Sequence, residues 1–391
     1  MVRLGGSDFS GKAAVDRQVM GLTSLETIRQ RMRQFADHEA VGVSPLYEHL
    51  ARNVAEDDDV AGLLGAVDEA FARPTLLLAA AHRLVLAEPV SDLACYYPSV
   101  GGDFGVDSGT WPAFRSFVLD RAERMRVLVS SHTTQTNEVR RAALLYPAAA
   151  LVAEQAGGPL GLLEVGCSAG LLLGLDLYGY RYTLPGGEQV TAGPRKAPLV
   201  LECALTLAGA AKKPPLPSRL AVAAKVGLDR KPIDAGDEEQ LAWLEACIWA
   251  DQPERLRRLG LAVAVQRQRR PEMVAGDAVE DLAAAASRVP AELPLMVFHS
   301  HTLPYLDAER RADFVAALGE LSRRRSLWWV SEEAYQAALR LVLPDRGDLR
   351  FSGPNPFGVL ALARWEDGKP VARALARTGF HGQTMEWLNL D

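Results

Sequence analysis

The stretch LLEVGCSAGLLL, Leu162–Leu173, carries residues whose types and spacing fit two different chemistries. Gly166, Ser168 and Gly170 form the pattern G-x-S-x-G, which presents a hydrolase's nucleophilic serine on a sharp turn between a strand and a helix. Together with Glu164, the same stretch reads E-x-G-x-x-x-G, a glycine-rich turn whose free backbone N–H groups can bind a nucleotide. The choice between these two chemistries depends on the residues that the rest of the chain places beside this turn.

Polar side chains also follow three later apolar segments. In VGLD, Asp229 stands where an acid could accept both hydroxyls of a ribose. In MVAGDA, Gly276 is followed by Asp277, whose carboxylate could accept an adenine amino group. In FHSHTLPY, we expect His299 and His301 to face the same crevice, where a neutral imidazole could take a proton from a nucleophile. Because ligands of open parallel sheets bind at the carboxyl ends of strands, these acids favour a nucleotide-type cofactor.

The alternative is a serine hydrolase that uses Ser168. It requires a downstream acid and a histidine, for which one of the later histidines such as His381 could serve. It also requires an oxyanion-hole segment upstream, where the sequence predicts only helices. Since it leaves the carboxylates after the predicted strands without a role, we prefer the cofactor turn and keep the hydrolase as an alternative.

Composition narrows the possible partners. The 391 residues carry a net charge of −6, and the basic clusters lie in helical stretches that also carry acids or leucines, so no nucleic-acid-binding patch is expected. No apolar run reaches the roughly 20 residues of a membrane span, and the first residues do not resemble a signal peptide. Four cysteines without C-x-x-C spacing argue against zinc sites and disulfides, and no metal is expected. We therefore expect a cytoplasmic protein with a small-molecule substrate.

The order of predicted elements indicates an α/β fold. From about residue 160 strands alternate with helices, which implies a parallel sheet covered on both faces. SAGLLLGLDL is expected to be a helix, and a long helix is predicted over residues 237–265. A small antiparallel insertion is predicted at about residues 178–218, and the last strands form a hairpin around the turn EDGK.

The N-terminal part is predicted to be different. Residues 1–20 lack a clear period and are expected to form a loose arm, and residues 21–135 show the apolar spacing of helices. We expect this all-helical domain to act as a lid or pocket wall for the α/β domain, residues 136–391.

The motifs LLEVGCSAG, VGLD and MVAGDA, in this order, resemble the Rossmann-type methyltransferases that use S-adenosylmethionine. The resemblance covers roughly residues 137–391 and includes the terminal hairpin of the sheet. It implies that the first loop holds the methionine end of the cofactor, the second acid the ribose and the third the adenine. Ser168 departs from the glycine common in that loop, and Asp229 follows about 60 residues later, which requires an insertion. The implied cofactor-binding residues are Glu164, Gly166, Cys167, Ser168, Gly170, Asp229, Gly276, Asp277 and Ala278.

Nearly the whole chain is also similar to a bacterial family catalogued only as a domain of unknown function, whose members are classed as methyltransferase-like. Segments that carry this similarity include SPLYEHLARNVAEDD, QTNEVRRAALL, VFHSHTLPYL and FHGQTMEWL. The resemblance is dense at QTNEVRR, where Asn137, Glu138 and Arg141 are expected on a helix leading to the first strand. With Tyr305, these residues are candidates for binding the substrate or the cofactor carboxylate.

The expected function is S-adenosylmethionine-dependent methyl transfer to an oxygen, nitrogen or carbon nucleophile of a small molecule. Either His299 or His301, after the fourth strand, is expected to act as the base. Two alternatives stay open. One is the hydrolase described above. The other is a protein of the same fold that binds the cofactor but does not methylate, such as a cyclase, a lyase or a binding protein.

Overall fold

The computed structural model describes residues 23–135, 137–351 and 356–389, and the chain divides into two compact units. The first unit combines the chain up to Thr134 with the short segment Trp249–Gln252. The second contains Gln135–Ile248 and the chain from Pro253 onward. The arm predicted for residues 1–20 lies outside the described residues. Within the described ranges, no helix is long and apolar enough to cross a membrane.

The secondary-structure elements described in the first unit are all helices and helical turns, joined by loops. Ser24 and Ser44 each accept a hydrogen bond from the backbone N–H three residues later, which caps the first two helices. A π-helical turn, Ala36–Ala40, follows the first helix. The α-helices are α1 Leu25–Phe35, α2 Pro45–Val54, α3 Asp58–Ala61, α4 Pro74–Ala87, α5 Thr110–Asp120 and α6 Ala122–Ser131.

The second unit is built around a mixed sheet of eleven strands within its described residues. The strands are β1 Leu160–Val165, β2 Gly179–Thr183, β3 Gln189–Ala192, β4 Val200–Leu207, β5 Val222–Asp229, β6 Glu272–Ala275, β7 Leu295–Ser300, β8 Leu327–Glu333, β9 Gly358–Glu366, β10 Lys369–Thr378 and β11 Thr384–Trp387. The α-helices are α7 Ala142–Ala156, α8 Glu238–Ala246, α9 Pro253–Arg269, α10 Leu282–Ala286 and α11 Ala308–Ser322. The chain is therefore a mixed α/β protein.

Five strands form the parallel part of the sheet, in the order β6-β5-β1-β7-β8. The chain first moves outward from β1 through β5 to β6, then returns to the other side of β1 to add β7 and β8. The direction of progression reverses between β1 and β7, which is the position where open α/β sheets bind ligands. β9 and β10 continue the sheet as the predicted antiparallel hairpin.

Side chains alternate between two cores, as expected for a sheet covered on both faces. In β1, Leu162 belongs to the core shared with α7 and α9, whereas its neighbour Leu163 belongs to the core shared with α10 and α11. All six residues of β1 are buried. This burial explains why the strand reads as a continuous apolar run in the sequence.

The predicted insertion differs from expectation because it extends the main sheet. β2 and β3 are antiparallel, but β2 and β4 are parallel, and β4 pairs in parallel with β11 at the end of the chain. The register joins Ala204 to Thr384, 180 positions later in the sequence, so local pattern gave no indication of it. β2 carries Tyr180 and Tyr182, and Tyr178 lies directly before it; all three tyrosines are buried.

The helix predicted for SAGLLLGLDL was wrong, because only a single 3-10 turn, Leu171–Gly174, forms there. Two tyrosine hydroxyls donate hydrogen bonds to backbone carbonyl oxygens that would accept backbone N–H groups in a continuing helix. Tyr178 donates to the carbonyl of Leu171 at 2.7 Å, and Tyr180 donates to that of Leu175. The chain can therefore leave the turn and enter β2 directly.

The single helix predicted over residues 237–265 is in fact α8 and α9, separated by a segment that packs in the first unit. Trp249 stacks on Tyr47 with ring centroids 5.6 Å apart. Asp251 accepts a hydrogen bond from the Ser44 hydroxyl at 2.7 Å. These contacts hold the segment in the first unit, so the helical pattern cannot be continuous.

Candidate functional site

A small cavity lies at the carboxyl end of β1, next to the reversal point of the sheet. Its volume is about 40 Å³, which is enough for a few water molecules or a small charged group. Seven of the predicted site residues line it, together with Val139, Leu171, Leu172 and Ser300. These seven are Asn137, Glu138, Arg141, Glu164, Gly166, Cys167 and Ser168.

Glu164 places an unsatisfied carboxylate oxygen beside this cavity. The side chain is 3% exposed, and its Oε2 has no hydrogen-bond partner among the described residues. Burial and the charge of Asp229 raise the pKa of Glu164 well above its usual value, while a backbone hydrogen bond from Leu173 opposes them. A buried carboxylate in this state favours either a proton or a bound cation.

The loop after β1 enters the left-handed region at three residues, two glycines that adopt it freely and Ser168, where it is strained. Gly166, Ser168 and Gly170 have φ values of 72°, 50° and 64°, in the left-handed region. The Ser168 N–H donates to Oδ2 of Asp229 at 2.8 Å, so the acid after β5 fixes the loop after β1. A Cβ atom on Gly166 would lie 2.4 Å from Thr302, so close packing against the loop after β7 also requires glycine here. Such strained backbone is concentrated at functional sites.

The Ser168 hydroxyl is not arranged for nucleophilic attack. It donates to the amide oxygen of Gln135 and accepts from the amide nitrogen of Asn137 at 3.1 Å. Neither amide can act as a general base, so the geometry of a serine hydrolase is not formed. The neighbouring Cys167 is buried, and burial together with the charges of Glu164 and Asp229 raises the pKa of its thiol, so it is not a nucleophile either.

Asn137, Glu138 and Arg141 do not lie on one continuous helix, in contrast to the prediction. Asn137 and Glu138 precede a 3-10 turn, Val139–Arg141, that leads into α7. Arg141 is only 6% exposed and lines the cavity, and its Nε donates to the carbonyl of Phe380 at 2.8 Å. Within the described ranges no carboxylate lies at salt-bridge distance from this buried guanidinium, which leaves its charge available to a ligand in the cavity.

His299 is not placed to act on a substrate. It is 0% exposed, its Nδ1 lies 2.8 Å from Oε1 of Glu333, and its Nε2 accepts the indole N–H of Trp329 at 2.9 Å. Because Nε2 accepts the indole N–H of Trp329, it carries no proton, and the single N–H of the ring is on Nδ1. His299 is therefore a neutral donor to Glu333. Its role is to hold β7 and β8 together, and the prediction that it faces the crevice was wrong.

His301 has a different environment, although it is only two residues away. β7 ends at Ser300, and His301 adopts a left-handed φ of 53°, which turns its side chain away from the direction of His299. Its ring packs edge-on against Phe380 with centroids 5.1 Å apart, and its side chain is 24% exposed. Its Nε2 lies 3.3 Å from Oε2 of Glu332, at ion-pair distance, which leaves Nδ1 for a substrate.

Glu332, near the end of β8, is a site residue that the candidates chosen from the sequence do not include. It is fully buried and accepts hydrogen bonds from the hydroxyls of Ser300 at 2.6 Å and Thr378 at 2.7 Å. Burial raises its pKa, but His301, Arg141 and the Ser300 hydroxyl outweigh burial and lower the pKa to about 2. Glu332 is therefore ionised at neutral pH and places a fixed negative charge beside His301. The only sequence signal was an acidic pair directly after an apolar strand.

The residues after β6 lie apart from the cavity. Asp277 accepts the N–H of Val279 at 2.8 Å and forms ion pairs with Arg310 and with the exposed Arg230. Gly276 is required because a Cβ atom there would lie 2.7 Å from Asp281. Arg310, in the first turn of α11, was missed because the sequence alone does not show that α11 begins beside β6.

Two further predicted residues have no visible role in the site. Ala278 is partly buried against the core that contains α10 and α11. Tyr305, in the 3-10 turn Leu303–Tyr305, is 72% exposed. The described part of the chain contains no group of three or more His, Cys, Asp or Glu side chains that could hold a metal ion.

Comparison with known proteins gives one family. Residues 29–387 match the model of the uncharacterized proteins conserved in bacteria, DUF2332. No curated protein and no solved structure matches the chain. Since the match spans most of the sequence and includes both the cavity-lining residues and Glu332, this chain belongs to the DUF2332 family.

Proposed function

We propose that this protein binds S-adenosylmethionine at the carboxyl ends of β1, β5 and β6 and transfers its methyl group to a small molecule. The observation that carries the proposal is the pair of buried side chains in the cavity, the Glu164 carboxyl, which can ionise when it meets an ammonium, and the Arg141 guanidinium. Glu164 offers a carboxylate oxygen without a partner, and Arg141 offers a buried guanidinium without an ion pair among the described residues. An α-amino acid end, with an ammonium and a carboxylate, has the complementary charges.

The strand order supports the same proposal. The third, second, first, fourth and fifth strands of the parallel part follow each other across the sheet, as in doubly wound dinucleotide-binding folds. The cavity lies at their reversal point. Its volume of about 40 Å³ admits only the amino-acid end, so the nucleoside would lie outside it, along the loops after β5 and β6.

Asp229 retains capacity for a ribose. Its Oδ1 and Oδ2 each accept one backbone N–H, from Lys231 at 2.9 Å and from Ser168 at 2.8 Å. A carboxylate oxygen has a second lone pair, so each could also accept a ribose hydroxyl. Asp277 has less capacity, because its Oδ1 is occupied by Arg310 and by backbone N–H groups. Its Oδ2 has Arg230, whose side chain is 72% exposed and can be displaced by an adenine amino group.

In this proposal the bound cofactor supplies an electrophilic methyl group on a sulfonium. His301 accepts the proton that the nucleophile loses, and the ionised Glu332 stabilises the imidazolium that forms. The His301→Gln variant should keep its cofactor affinity and lose about 100-fold or more in the rate of transfer. A His301→Gln variant that transfers methyl groups at the wild-type rate would remove the histidine from the mechanism.

Calorimetric titration with S-adenosylmethionine and S-adenosylhomocysteine tests the proposal directly. The raised pKa of Glu164 favours a protonated carboxyl before binding, whereas a bound ammonium favours the carboxylate. We therefore expect binding to release about one proton, seen as a dependence of the measured enthalpy on the ionisation enthalpy of the buffer.

Matched variants separate this site from a general charge effect. Glu164→Gln should weaken binding about tenfold or more and abolish the proton release, while Glu154→Gln, at an exposed position of α7, should change neither. Absence of binding by either compound at millimolar concentration would refute the proposal. Binding without transfer to any acceptor would favour the alternative of a cofactor-binding protein that does not methylate.

A further inference from the structure

Glu333, the last residue of β8, has no role in the function proposed above, although it follows Glu332 directly. Its side chain is 1% exposed and lies on the opposite face of the strand from that of Glu332. A carboxyl group is kept in such a buried position where hydrogen bonds replace the water that it loses. The partners of Glu333 therefore indicate its role.

The hydrogen bonds that the structure describes for the Glu333 side chain all end on one oxygen. Its Oε1 accepts the backbone N–H of Thr302 at 2.6 Å and that of Leu303 at 3.1 Å. It also accepts the Nδ1–H of His299 at 2.8 Å. The two backbone N–H groups belong to the start of the 3-10 turn Leu303–Tyr305, where no carbonyl of the turn can accept them. Glu333 thereby ties the loop after β7 to the end of β8.

The same end of β8 holds the backbone on both sides of His301. The N–H of His301 donates to the carbonyl oxygen of Glu332 at 3.1 Å. The next two N–H groups along the chain donate to Glu333, so three consecutive backbone donors converge on the last two residues of β8. The backbone of His301 is thus fixed before and after its Cα atom.

His301 needs this support because its backbone is strained. Its φ of 53° lies in the left-handed region, where the Cβ atom of an ordinary residue comes too close to the following carbonyl oxygen. A residue stays in this region only where the surrounding structure offsets the strain. The position of the ring, against Phe380 and beside Glu332, depends on this backbone conformation.

The turn also contacts the loop after β1. The Thr302 hydroxyl donates to the carbonyl of Val165 at 3.2 Å, and a Cβ atom on Gly166 would lie 2.4 Å from the Thr302 side chain. Gly166 lines the cavity. A shift of the backbone at Thr302 would therefore displace both the ring of His301 and a wall of the cavity.

We propose that Glu333 is a positioning residue for the candidate site. By accepting the N–H groups of Thr302 and Leu303, it holds His301 in the left-handed conformation that places the imidazole beside Glu332. It acts through the backbone of the turn. The benefit for proton transfer rests on the proposed function, whereas the hold on the turn does not.

A comparison of alanine and glycine at position 301 measures this hold. His301→Ala and His301→Gly both remove the ring, but only glycine adopts the left-handed region without strain. In urea denaturation, the unfolding equilibrium constant of His301→Gly should be about threefold or more smaller than that of His301→Ala. In the background of Glu333→Leu the turn can relax, and the advantage of glycine should disappear, because glycine also loses more chain entropy on folding.

Two outcomes would overturn the proposal. One is equal stability of His301→Gly and His301→Ala in the presence of Glu333, which would show that residue 301 is not strained. The other is an advantage of glycine that stays unchanged with Glu333→Leu, which would show that the turn is held without this carboxyl group. Glu333→Met, whose flexible side chain fits irregular spaces, repeats the comparison if Glu333→Leu does not fold. Glu333→Gln keeps an acceptor oxygen and should restore the advantage of glycine.

Amide hydrogen exchange gives a second, local readout. Glu333→Leu should speed exchange at Thr302 and Leu303 by about tenfold or more, whereas Ser331→Ala should leave it unchanged. Ser331 is the matched control because it is similarly buried on the same face of β8, and its hydroxyl has no partner among the described residues. Unchanged exchange at both amides of Glu333→Leu would contradict the proposal.

These measurements need no cofactor, so they separate this inference from the proposed function. Absence of S-adenosylmethionine binding would refute the proposed function and leave the hold on His301 tested by itself. Where methyl transfer is observed, Glu333→Leu should lower its rate about tenfold or more, and Glu333→Gln should restore most of it.

Discussion

Replacement of Glu164 by glutamine should change the pH dependence of stability in a direction opposite to that of carboxylates stabilised by ion pairs or hydrogen bonds. Burial and the charge of Asp229 raise the pKa of Glu164 in the folded protein well above 4.5. As the pH rises above 4.5, the unfolded chain releases this proton first. The free energy of unfolding therefore falls, until the folded protein releases its proton as well.

The magnitude follows from proton linkage. Within that window Glu164 lowers the free energy of unfolding by up to about 1.4 kcal/mol per pH unit. Glutamine has a similar shape and does not ionise, so Glu164→Gln should remove this slope. The stability of the variant relative to wild type should consequently increase from pH 5 towards neutral pH.

Glu332 provides the matched opposite case. Its pKa is lowered from 4.5 to about 2, so its ionised form is stabilised by about 3 kcal/mol in the folded protein. This stability is present above pH 4.5 and is lost as the pH falls towards 2. Glu332→Gln should therefore be destabilised at neutral pH, and its difference from wild type should shrink as the solution is acidified.

Urea denaturation of the three proteins, at intervals from about pH 2 to pH 8, covers both windows and measures both effects on one scale. We expect the unfolding free energy of the variant minus that of wild type to rise with pH for Glu164→Gln and to fall with pH for Glu332→Gln. Parallel curves for wild type and Glu164→Gln would show that the carboxyl is ionised in both states or in neither. Parallel curves would also contradict the inference that Oε2 of Glu164 binds a cation.

Three other predictions concern packing and the alternative chemistry. Gly382→Ala should destabilise the protein by more than Gly186→Ala in urea denaturation. Both glycines have positive φ, which costs alanine about 1 kcal/mol, but only at Gly382 would the new Cβ meet backbone. His299→Leu should lower the free energy of unfolding by about 2 kcal/mol, because it leaves the buried indole N–H of Trp329 unsatisfied and removes one donor from the buried carboxyl of Glu333, which keeps two backbone donors; a loss below about 1 kcal/mol would argue against its structural role. Ser168→Ala should retain its fold with a loss of about 1 kcal/mol, and a serine-directed phosphonate should not label the wild-type protein; labelling that the variant abolishes would revive the hydrolase.

The sequence predicted the parts of the site that depend on neighbouring residues. Glu164 and the glycines after it were found because an apolar strand, an acid and a tight turn follow each other directly in the chain. The alternation of side chains along β7 was less informative. A regular strand would place His299 and His301 on one face, but the left-handed φ of His301 separates them. Only His301 lies near the candidate site.

The remaining parts depend on pairings between distant segments. Glu332 reaches His301 because β8 pairs with β7, and Phe380 reaches the same ring through the turn between β10 and β11. Pairing of β4 with β11 joins residues 180 positions apart, and no local period indicates which strands become neighbours.

The segment Trp249–Gln252 has a consequence for the order in which the protein can fold. Ser44 donates its hydroxyl to Asp251, which lies 207 residues later in the chain, and Tyr47 stacks on Trp249. During synthesis the ribosome must therefore produce the first five β strands, β1 to β5, before the helical unit is complete, although its helices are made first. A fragment that ends at Thr134 lacks these contacts, so separating the two units for study requires the segment to be supplied again, for example by a circular permutation that joins it to the helices.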